Sequence, residues 1–224
     1  MSQRSEVDRI QAARARLAAS GPILEREAGD FERVTLPARD ADVLRDALIV
    51  ERARVVVEIG LAYGTSALAI AEALASVIAD RPGDSSRHIV IDAFQDRFFD
   101  GGWNELVLAG AAVDATLIRE RSQIALPRLI EERFVADAAF VDGSHIFHNV
   151  FLDLAFLREI VRPDGLVILD DCQWPSVATA VRYFEINAGW QRDRMDNESR
   201  LRAYRLPDPP VEPSFEAFRP FATD

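Results

Sequence analysis

Between residues 54 and 188 the sequence alternates short apolar segments with longer segments of helical periodicity. In the first pair, "RVVVEIG" (54–60) is a β-branched run that ends at a glycine. Behind it, "TSALAIAEALASVIA" (65–79) repeats apolar residues at helical spacing after a Thr/Ser cap. Strands that alternate with helices of this length form a mostly parallel sheet with helices on both faces. The sequence therefore predicts a doubly wound α/β fold.

The remaining elements follow from the same patterns. Further strands are predicted at 88–94, 114–120, 138–143 and 165–171, and further helices at 4–19, 38–52, 102–112, 124–133, 147–161 and 176–188. After the last helix, "GWQRDRM" and "RLRAYRLP" flank a polar turn, which predicts an antiparallel strand pair that completes a seven-stranded sheet.

The predicted organisation has three parts. Residues 1–53 form N-terminal helices, and residues 54–207 form the α/β domain. Residues 208–224, rich in proline and aromatic residues, form a C-terminal arm that packs on the body or on a second subunit of a homodimer.

The amino-acid composition disfavours several classes of function. The net charge is −11, and all 26 cationic residues are arginine, which disfavours nucleic-acid binding and leaves no lysine to act as a base or a Schiff-base nucleophile. The single cysteine, Cys172, excludes an intramolecular disulfide. No segment approaches the ~18 apolar residues that span a membrane. We expect a cytoplasmic protein that does not bind membranes.

Ligands of open parallel sheets bind beyond the carboxyl ends of the strands. The first such end is "EIGLAYGTS", where Glu58 ends the strand and Gly60 and Gly64 let the backbone approach a ligand. Ala62 stands where the dinucleotide fingerprint has another glycine. The alternative is a tight turn with no ligand.

Two further strand ends suit a nucleoside. Asp92 is placed to accept hydrogen bonds from both ribose hydroxyls, although a single acidic residue at a strand end is often a helix cap. Ser122 and Gln123 could border an adenine edge or cap the following helix.

Three carboxylates follow the last two parallel strands. Asp142 ends "AAFVD", and Asp170 and Asp171 end "LVILDD". Clustered carboxylates repel one another unless protons or a cation offset the charge, which predicts a site for Mg²⁺ or a similar divalent cation. The alternative is that Asp170 or Asp171 caps a helix, bonds backbone amides or pairs with an arginine.

Two histidines lie near these carboxylates. His145 lies three residues after Asp142, and an imidazole is the side chain best suited to proton abstraction near neutral pH. His148 is at the start of a helix, where a polar or capping role is expected. Cys172 is interpreted as a small packing residue, because no activating base is identifiable.

The motifs "VVEIGLAYGTSALAIA", "IDAFQ", "RSQIALPRL", "FVDGSHIFHNVFLDL" and "PDGLVILDDCQWPSV", in this order, resemble class I S-adenosylmethionine-dependent methyltransferases of the catechol O-methyltransferase-like small-molecule branch. The resemblance covers about residues 50–206. It implies a Rossmann-like catalytic domain and an O-methyltransferase that acts on a small hydroxylated substrate.

The resemblance also implies roles for individual residues. The cofactor-binding positions would be Glu58, Gly60, Ala62, Gly64, Ser66, Asp92, Ser122, Gln123 and Asp142. The metal ligands would be Asp142, Asp170 and Asp171, and His145 stands where the catechol enzymes place a lysine base. Two departures matter: Asp171 replaces an asparagine found in many members, and a histidine replaces the lysine.

Two other functions stay open at this point. One is a protein that binds S-adenosylmethionine without turnover. The other is a nicotinamide-dependent oxidoreductase, which the incomplete glycine fingerprint and the paired Asp170 and Asp171 disfavour.

Overall fold

A computed structural model describes residues 3–24, 29–81, 83–196 and 198–221. The strands are β1 (Val55–Ile59), β2 (Arg87–Ile91), β3 (Ala115–Ile118), β4 (Ala136–Val141), β5 (Val161–Leu169), β6 (Gln191–Asp193) and β7 (Arg202–Arg205). The helices are α1 (Gln3–Ser20), α2 (Phe31–Val34), α3 (Ala38–Glu51), α4 (Thr65–Ala79), α5 (Gly101–Leu108), α6 (Ser122–Glu131), α7 (Phe147–Ile160) and α8 (Pro175–Asn187). Short 3-10 helices cover Gln95–Phe98 and Ala111–Val113.

The strands form one seven-stranded sheet in the order β3-β2-β1-β4-β5-β7-β6. Strands β1 to β5 run parallel, β7 pairs antiparallel with β5, and β6 pairs antiparallel with β7. The order reverses between β1 and β4, so the chain has the topological switch point at which such sheets bind ligands. The doubly wound prediction with its antiparallel C-terminal pair is confirmed.

Buried apolar side chains cover both faces of the sheet. Val57 and Val167 point to the face covered by α6, α7 and α8, while Val56, Phe140 and Ile168 point to the face covered by α3 and α4. Both faces are apolar because successive residues of a strand point to opposite sides and helices cover each side. This explains why the strands read as continuous β-branched runs in the sequence.

Several element boundaries differ from the predicted ones. The helix predicted at 102–112 ends at Leu108, because Gly110 takes a left-handed conformation (φ 69°) and a 3-10 turn follows. Strand β5 begins at Val161, where it pairs with Ala136, and a register shift separates this pair from the regular ladder that begins at Leu166. The helix α2 lies between the two predicted N-terminal helices, in a segment where the sequence predicts no helix.

The C-terminal arm packs on α8. The rings of Phe218 and Phe221 contact Tyr183, and Asn187 exchanges hydrogen bonds of 3.0 and 2.9 Å with the backbone of Arg219. Residues 222–224 of the predicted arm lie outside the described residues. In the part of the chain that the structure describes, no helix combines the length and apolarity needed to cross a membrane.

The N-terminal helix α1 is fixed to α4 by apolar packing and a buried carboxylate. Ile10 and Leu17 are buried against α4. Glu72 of α4, with a side chain only 2% exposed, accepts a hydrogen bond from Gln11 (2.9 Å) and pairs with the guanidinium of Arg14. A carboxylate this buried must be paired to remain charged.

Replacing Arg14 by methionine is expected to lower the free energy of unfolding by about 2–4 kcal/mol, because it leaves Glu72 buried with less compensation. Arg45 lies 3.5 Å from Glu72 and still compensates part of its charge. The expected loss is therefore at the lower end of this range. Urea denaturation measures the change. The double variant Arg14→Met/Glu72→Met should regain part of the loss; additive losses would contradict coupling between the two residues.

Candidate functional site

The carboxyl ends of β1, β4 and β5 lie side by side at one edge of the sheet. The parallel ladder continues past the strands, since the N–H of Asp142 donates to Ile59 O (2.9 Å) and that of Asp170 donates to Val141 O (3.1 Å). Asp142 and Asp170 are therefore neighbours across adjacent strands, as their sequence positions predict.

Glycine is required where β1 turns towards α4. Gly60 has φ +95°, and a Cβ atom on it would lie 2.2 Å from the carbonyl oxygen of Asp142. Gly64 has φ +84°, and its Cβ atom would lie 2.9 Å from the carbonyl oxygen of Gly102. The turn thus packs backbone against backbone on two sides. The segment 96–106 contacts this turn through Gly102.

A narrow cleft opens above the turn. Four of the predicted cofactor-binding residues line it, namely Gly60, Ala62, Ser66 and Asp142. Thr35 and Leu36, from the segment between α2 and α3, form its other wall. The sequence analysis missed this wall, because no motif marks a residue that contributes to a site only by lying opposite it.

Glu58 lies beneath the cleft rather than in it. Its side chain is fully buried and accepts a hydrogen bond from Ser66 Oγ at 2.6 Å. His88 Nε2 of the neighbouring strand β2 lies 2.9 Å from Glu58 Oε2, although the two groups are not aligned for a standard hydrogen bond. The predicted contact of Glu58 with a cofactor stays a prediction; in the structure Glu58 orients Ser66.

Asp92 braces the glycine turn. One carboxylate oxygen accepts the N–H groups of Leu61 (3.0 Å) and Ala62 (3.2 Å) together with the amide of Gln95 (2.9 Å). The other oxygen accepts the N–H of Phe94 at 2.7 Å. Asp92 therefore links the turn after β1 to the turn after β2, and its predicted role as a ribose ligand stays a prediction.

Ser122 and Gln123 begin α6 and meet a carboxylate that the sequence analysis did not single out. Gln123 Nε2 donates to Ser122 Oγ (3.0 Å) and to Asp153 Oδ1 of α7 (3.3 Å). Burial raises the pKa of Asp153 to about 6, against the hydrogen bonds from Ser122 and Gln123, which lower it. Asp153 thus fixes the two residues predicted to border the adenine.

Among the three carboxyl groups at these strand ends, the one of Asp142 has no partner within the described residues. Its side chain makes no hydrogen bond or ion pair within the described residues, and it faces Asp170 and Asp171. Burial, followed by these two neighbouring charges, raises the pKa of Asp142 well above its usual value, while the Arg200 guanidinium acts in the opposite direction.

Asp170 is fully paired. Its Oδ1 accepts the N–H of Asp171 at 2.7 Å, and its Oδ2 accepts a hydrogen bond from the guanidinium of Arg200. Burial raises the pKa of Asp170, and the Arg200 pair opposes that shift. Of the alternatives left open by the sequence, the structure shows two for Asp170: a bond to a backbone amide and a pair with an arginine.

Asp171 holds His145. Asp171 Oδ2 lies 2.8 Å from His145 Nε2, and its Oδ1 accepts the amide of Gln173 at 2.6 Å. The residue has φ +57°, a left-handed conformation that aspartate tolerates better than most residues and that directs its carboxylate back towards His145. The His145 side chain is 49% exposed and so is open to a substrate.

The residues match the predicted cation site only in part. The ligand atoms of Asp142, His145 and Asp171 lie within 4.8 Å of one another, but the predicted ligand Asp170 is not in this group. His145 and Asp171 are also paired with each other through Nε2 and Oδ2, so a cation would compete with that contact. The divalent cation therefore stays a prediction.

His148 and Cys172 are the two residues to which the sequence gives lesser roles. His148, in the first turn of α7, is exposed to solvent. Burial, followed by the charge of Asp170, raises the pKa of the Cys172 thiol to about 12, so the thiolate nucleophile is scarce near neutral pH.

Replacing Gly60 by alanine is expected to lower the free energy of unfolding by roughly 3 kcal/mol or more, because backbone strain adds to the clash with Asp142. Gly83 is the matched control, since it has φ +98° with nothing within 4 Å of its Cβ position. Gly83→Ala should cost only the strain, about 1–2 kcal/mol. Equal losses in urea denaturation would show that the close approach to Asp142 does not matter.

The raised pKa of Asp153 predicts a pH dependence of stability. The folded protein binds the Asp153 proton more tightly than the unfolded chain, whose aspartate pKa is about 3.9. The free energy of unfolding should therefore fall as pH rises from about 4 to about 6, by up to about 3 kcal/mol from this group. Asp153→Asn should remove that fall and be more stable than the unmodified protein at pH 7. The exposed Asp80→Asn should retain the fall.

The chain matches known proteins in sequence pattern and in fold. The family model described as "Methyltransferase domain" matches residues 57–172, about half of the chain. No curated protein matched the sequence. Among solved structures, cofactor-bound Rv0187 from MTB has a TM-score of 0.66 at 16% identity, over 89% of both chains.

Two other solved structures have names that specify a reaction. The O-methyltransferase TomG from Streptomyces achromogenes, involved in tomaymycin synthesis and solved with SAM, has a TM-score of 0.62 at 20% identity, over 89% of this chain and 90% of that one. An O-methyltransferase from Bacillus cereus in complex with SAH has a TM-score of 0.61 at 14% identity, over 90% of both. These likenesses show a shared fold. With the family match over 57–172 and the glycine turn beside Asp142, they establish that the chain belongs to the methyltransferase domain family and is a class I S-adenosylmethionine-dependent methyltransferase.

Proposed function

We propose that this methyltransferase transfers the methyl group of S-adenosylmethionine to a hydroxyl oxygen of a small molecule. The observation that carries the proposal is the pair of His145 and Asp171, with 2.8 Å between Nε2 and Oδ2. A hydroxyl group must lose its proton as its oxygen attacks a methyl group. A half-exposed imidazole beside the cofactor cleft can accept that proton.

The cofactor, when bound, supplies an electrophilic methyl group on a sulfonium. In the proposal it lies in the cleft lined by Gly60, Ser66 and Asp142, with the N-terminal residues Thr35 and Leu36 as the facing wall. The unpartnered Asp142 can accept hydrogen bonds there. The domain 54–207 would thus supply the turn and the base, and the segment before residue 54 would exclude water from the other side.

His145 acts as the general base in this proposal. Asp171 Oδ2 lies at ion-pair distance from His145 Nε2, where its charge orients the ring and stabilises the imidazolium that forms when the substrate proton arrives. Ser176 Oγ donates to the carbonyl of His145 at 2.6 Å, which holds the loop that carries the base against the start of α8.

The class of methyl acceptor is proposed from the net charge of the protein and from the solved structures that it resembles. A net charge of −11 disfavours a nucleic-acid substrate. Two proteins of the same fold, TomG and the Bacillus cereus protein, are named as O-methyltransferases. The exposed Trp174 and Ile146 near His145 provide an apolar rim that suits a small aromatic or aliphatic acceptor.

His145→Ala is expected to lower kcat for methyl transfer by about 10²–10⁴-fold, the usual contribution of a positioned base, and to leave the Kd for S-adenosylmethionine unchanged. Transfer is measured with a panel of hydroxylated compounds and methyl-labelled cofactor, and the Kd is measured by calorimetry. His148→Ala removes the exposed neighbouring histidine and should retain full activity.

The outcomes separate the competing functions. Cofactor binding without transfer to any hydroxylated compound would favour a non-catalytic binding protein. Binding of NAD with no heat from S-adenosylmethionine would contradict the proposal itself. A His145→Ala variant as active as the unmodified protein would remove the assigned base.

A further inference from the structure

Both carboxylate oxygens of Asp170 already accept a hydrogen bond. Its carboxylate side chain is buried, with 0% exposure. One oxygen accepts the N–H of Asp171 at 2.7 Å, and the other accepts the guanidinium of Arg200. A divalent cation at Asp170 would have to displace a charge-assisted hydrogen bond, which is one of the stronger kinds in proteins.

Arg200 is held in place by the fold rather than lying freely on the surface. Its backbone N–H donates to Asp40 Oδ1 at 3.2 Å, and Ser199 Oγ donates to the same oxygen at 2.6 Å. Asp40 is itself buried, in the first turn of α3. The segment between β6 and β7 is thus fixed to the N-terminal helices immediately beside Arg200.

The same segment has a second contact with α3. Arg39 pairs with Asp196 (3.1 Å) and with Glu198, and these residues flank the position of Arg200. The Arg39 side chain is 53% exposed, against 37% for Arg200, and it does not pair with the carboxylates at the strand ends. The two arginines therefore carry the same charge in the same region, but only one of them faces Asp170.

A divalent cation among these carboxylates would lie near the fixed charge of Arg200. Like charges at such short range repel, and the repulsion is strong where little water separates them. Two of the three carboxylates are already paired: Asp170 with the guanidinium of Arg200, and Asp171 with the imidazole of His145. The protein supplies internally the compensation that an acidic cluster otherwise takes from a metal ion.

We propose that Arg200 occupies the position that the sequence resemblance gives to a divalent cation, so that the protein keeps its carboxylate cluster assembled without metal. The proposal rests on the proposed function, because the cluster matters for catalysis only if it faces the reacting hydroxyl. Arg200 is a positioning residue here: it holds Asp170, whose carboxylate accepts the N–H of Asp171, and Asp171 in turn holds His145.

Metal binding by the unmodified protein tests the proposal without a substrate. Protein treated with chelator is titrated with Mn²⁺ and with Mg²⁺ in a calorimeter. The unmodified protein should show no binding below ~1 mM. Arg200→Met, which keeps the bulk of the side chain and removes its charge, should bind Mn²⁺ at least about tenfold more tightly because Asp170 becomes available and the repulsion is lost.

Matched variants identify the cause. Arg200→Lys keeps the charge and should bind metal as weakly as the unmodified protein. Arg39→Met removes one positive charge from the same segment without freeing Asp170, and should also leave metal binding unchanged. In Arg200→Met/Asp170→Asn the metal affinity gained by Arg200→Met should be lost, which would place the ion at Asp170.

Each result supports or overturns the proposal. Micromolar Mn²⁺ binding by the unmodified protein, or an equal gain from Arg39→Met, would overturn it. If Arg200→Met does not fold, Arg200→Gln is used, with folding checked by cofactor binding in EDTA. Failure of the proposed function is a separate result: S-adenosylmethionine would not bind in EDTA, or no variant would methylate a hydroxyl, whatever the metal titrations show.

Discussion

The close approach of β1 and β4 at their carboxyl ends is the constraint on which the site depends. The chain leaves β1 at Gly60 so near the carbonyl of Asp142 that a single Cβ atom would lie 2.2 Å away. This contact fixes both the floor of the cleft and the position of Asp142. The neighbouring strand β5 then places Asp170 beside it, so one backbone contact brings the glycine turn and the carboxylates together.

Buried charge in this lysine-free protein is balanced by arginine. Glu72, Glu105 and Asp170 are each almost fully buried, and each meets a guanidinium from a distant part of the chain. The planar guanidinium holds its charge when partly buried, whereas a lysine loses its proton more readily under the same conditions. The pairing at Asp170 belongs to this general pattern, although it also lies at the candidate reaction centre.

The sequence predicts what depends on local pattern and on strand order. Helix α4 was predicted residue by residue, since its Thr/Ser cap and apolar spacing are contained in one segment. The proximity of Asp142 and Asp170 followed from parallel strands. Arg200 could not be identified in advance, because nothing in "SRLRAYR" shows which of 26 arginines meets which carboxylate. Thr35 and Asp153 were missed for the same reason: each acts through a tertiary contact.

The contact between the first helices and the last hairpin connects these observations. Asp40 and Ser199 are 159 positions apart, and their hydrogen bond holds the backbone that carries Arg200. Arg200 fixes Asp170, whose neighbour Asp171 orients His145. The electrostatics of the reaction centre therefore depend on how the N-terminal helices pack against the β6–β7 connection. Because Thr35 and Leu36 of the same N-terminal region line the cleft, the wall of the cleft and the charge at its base are positioned by one interface.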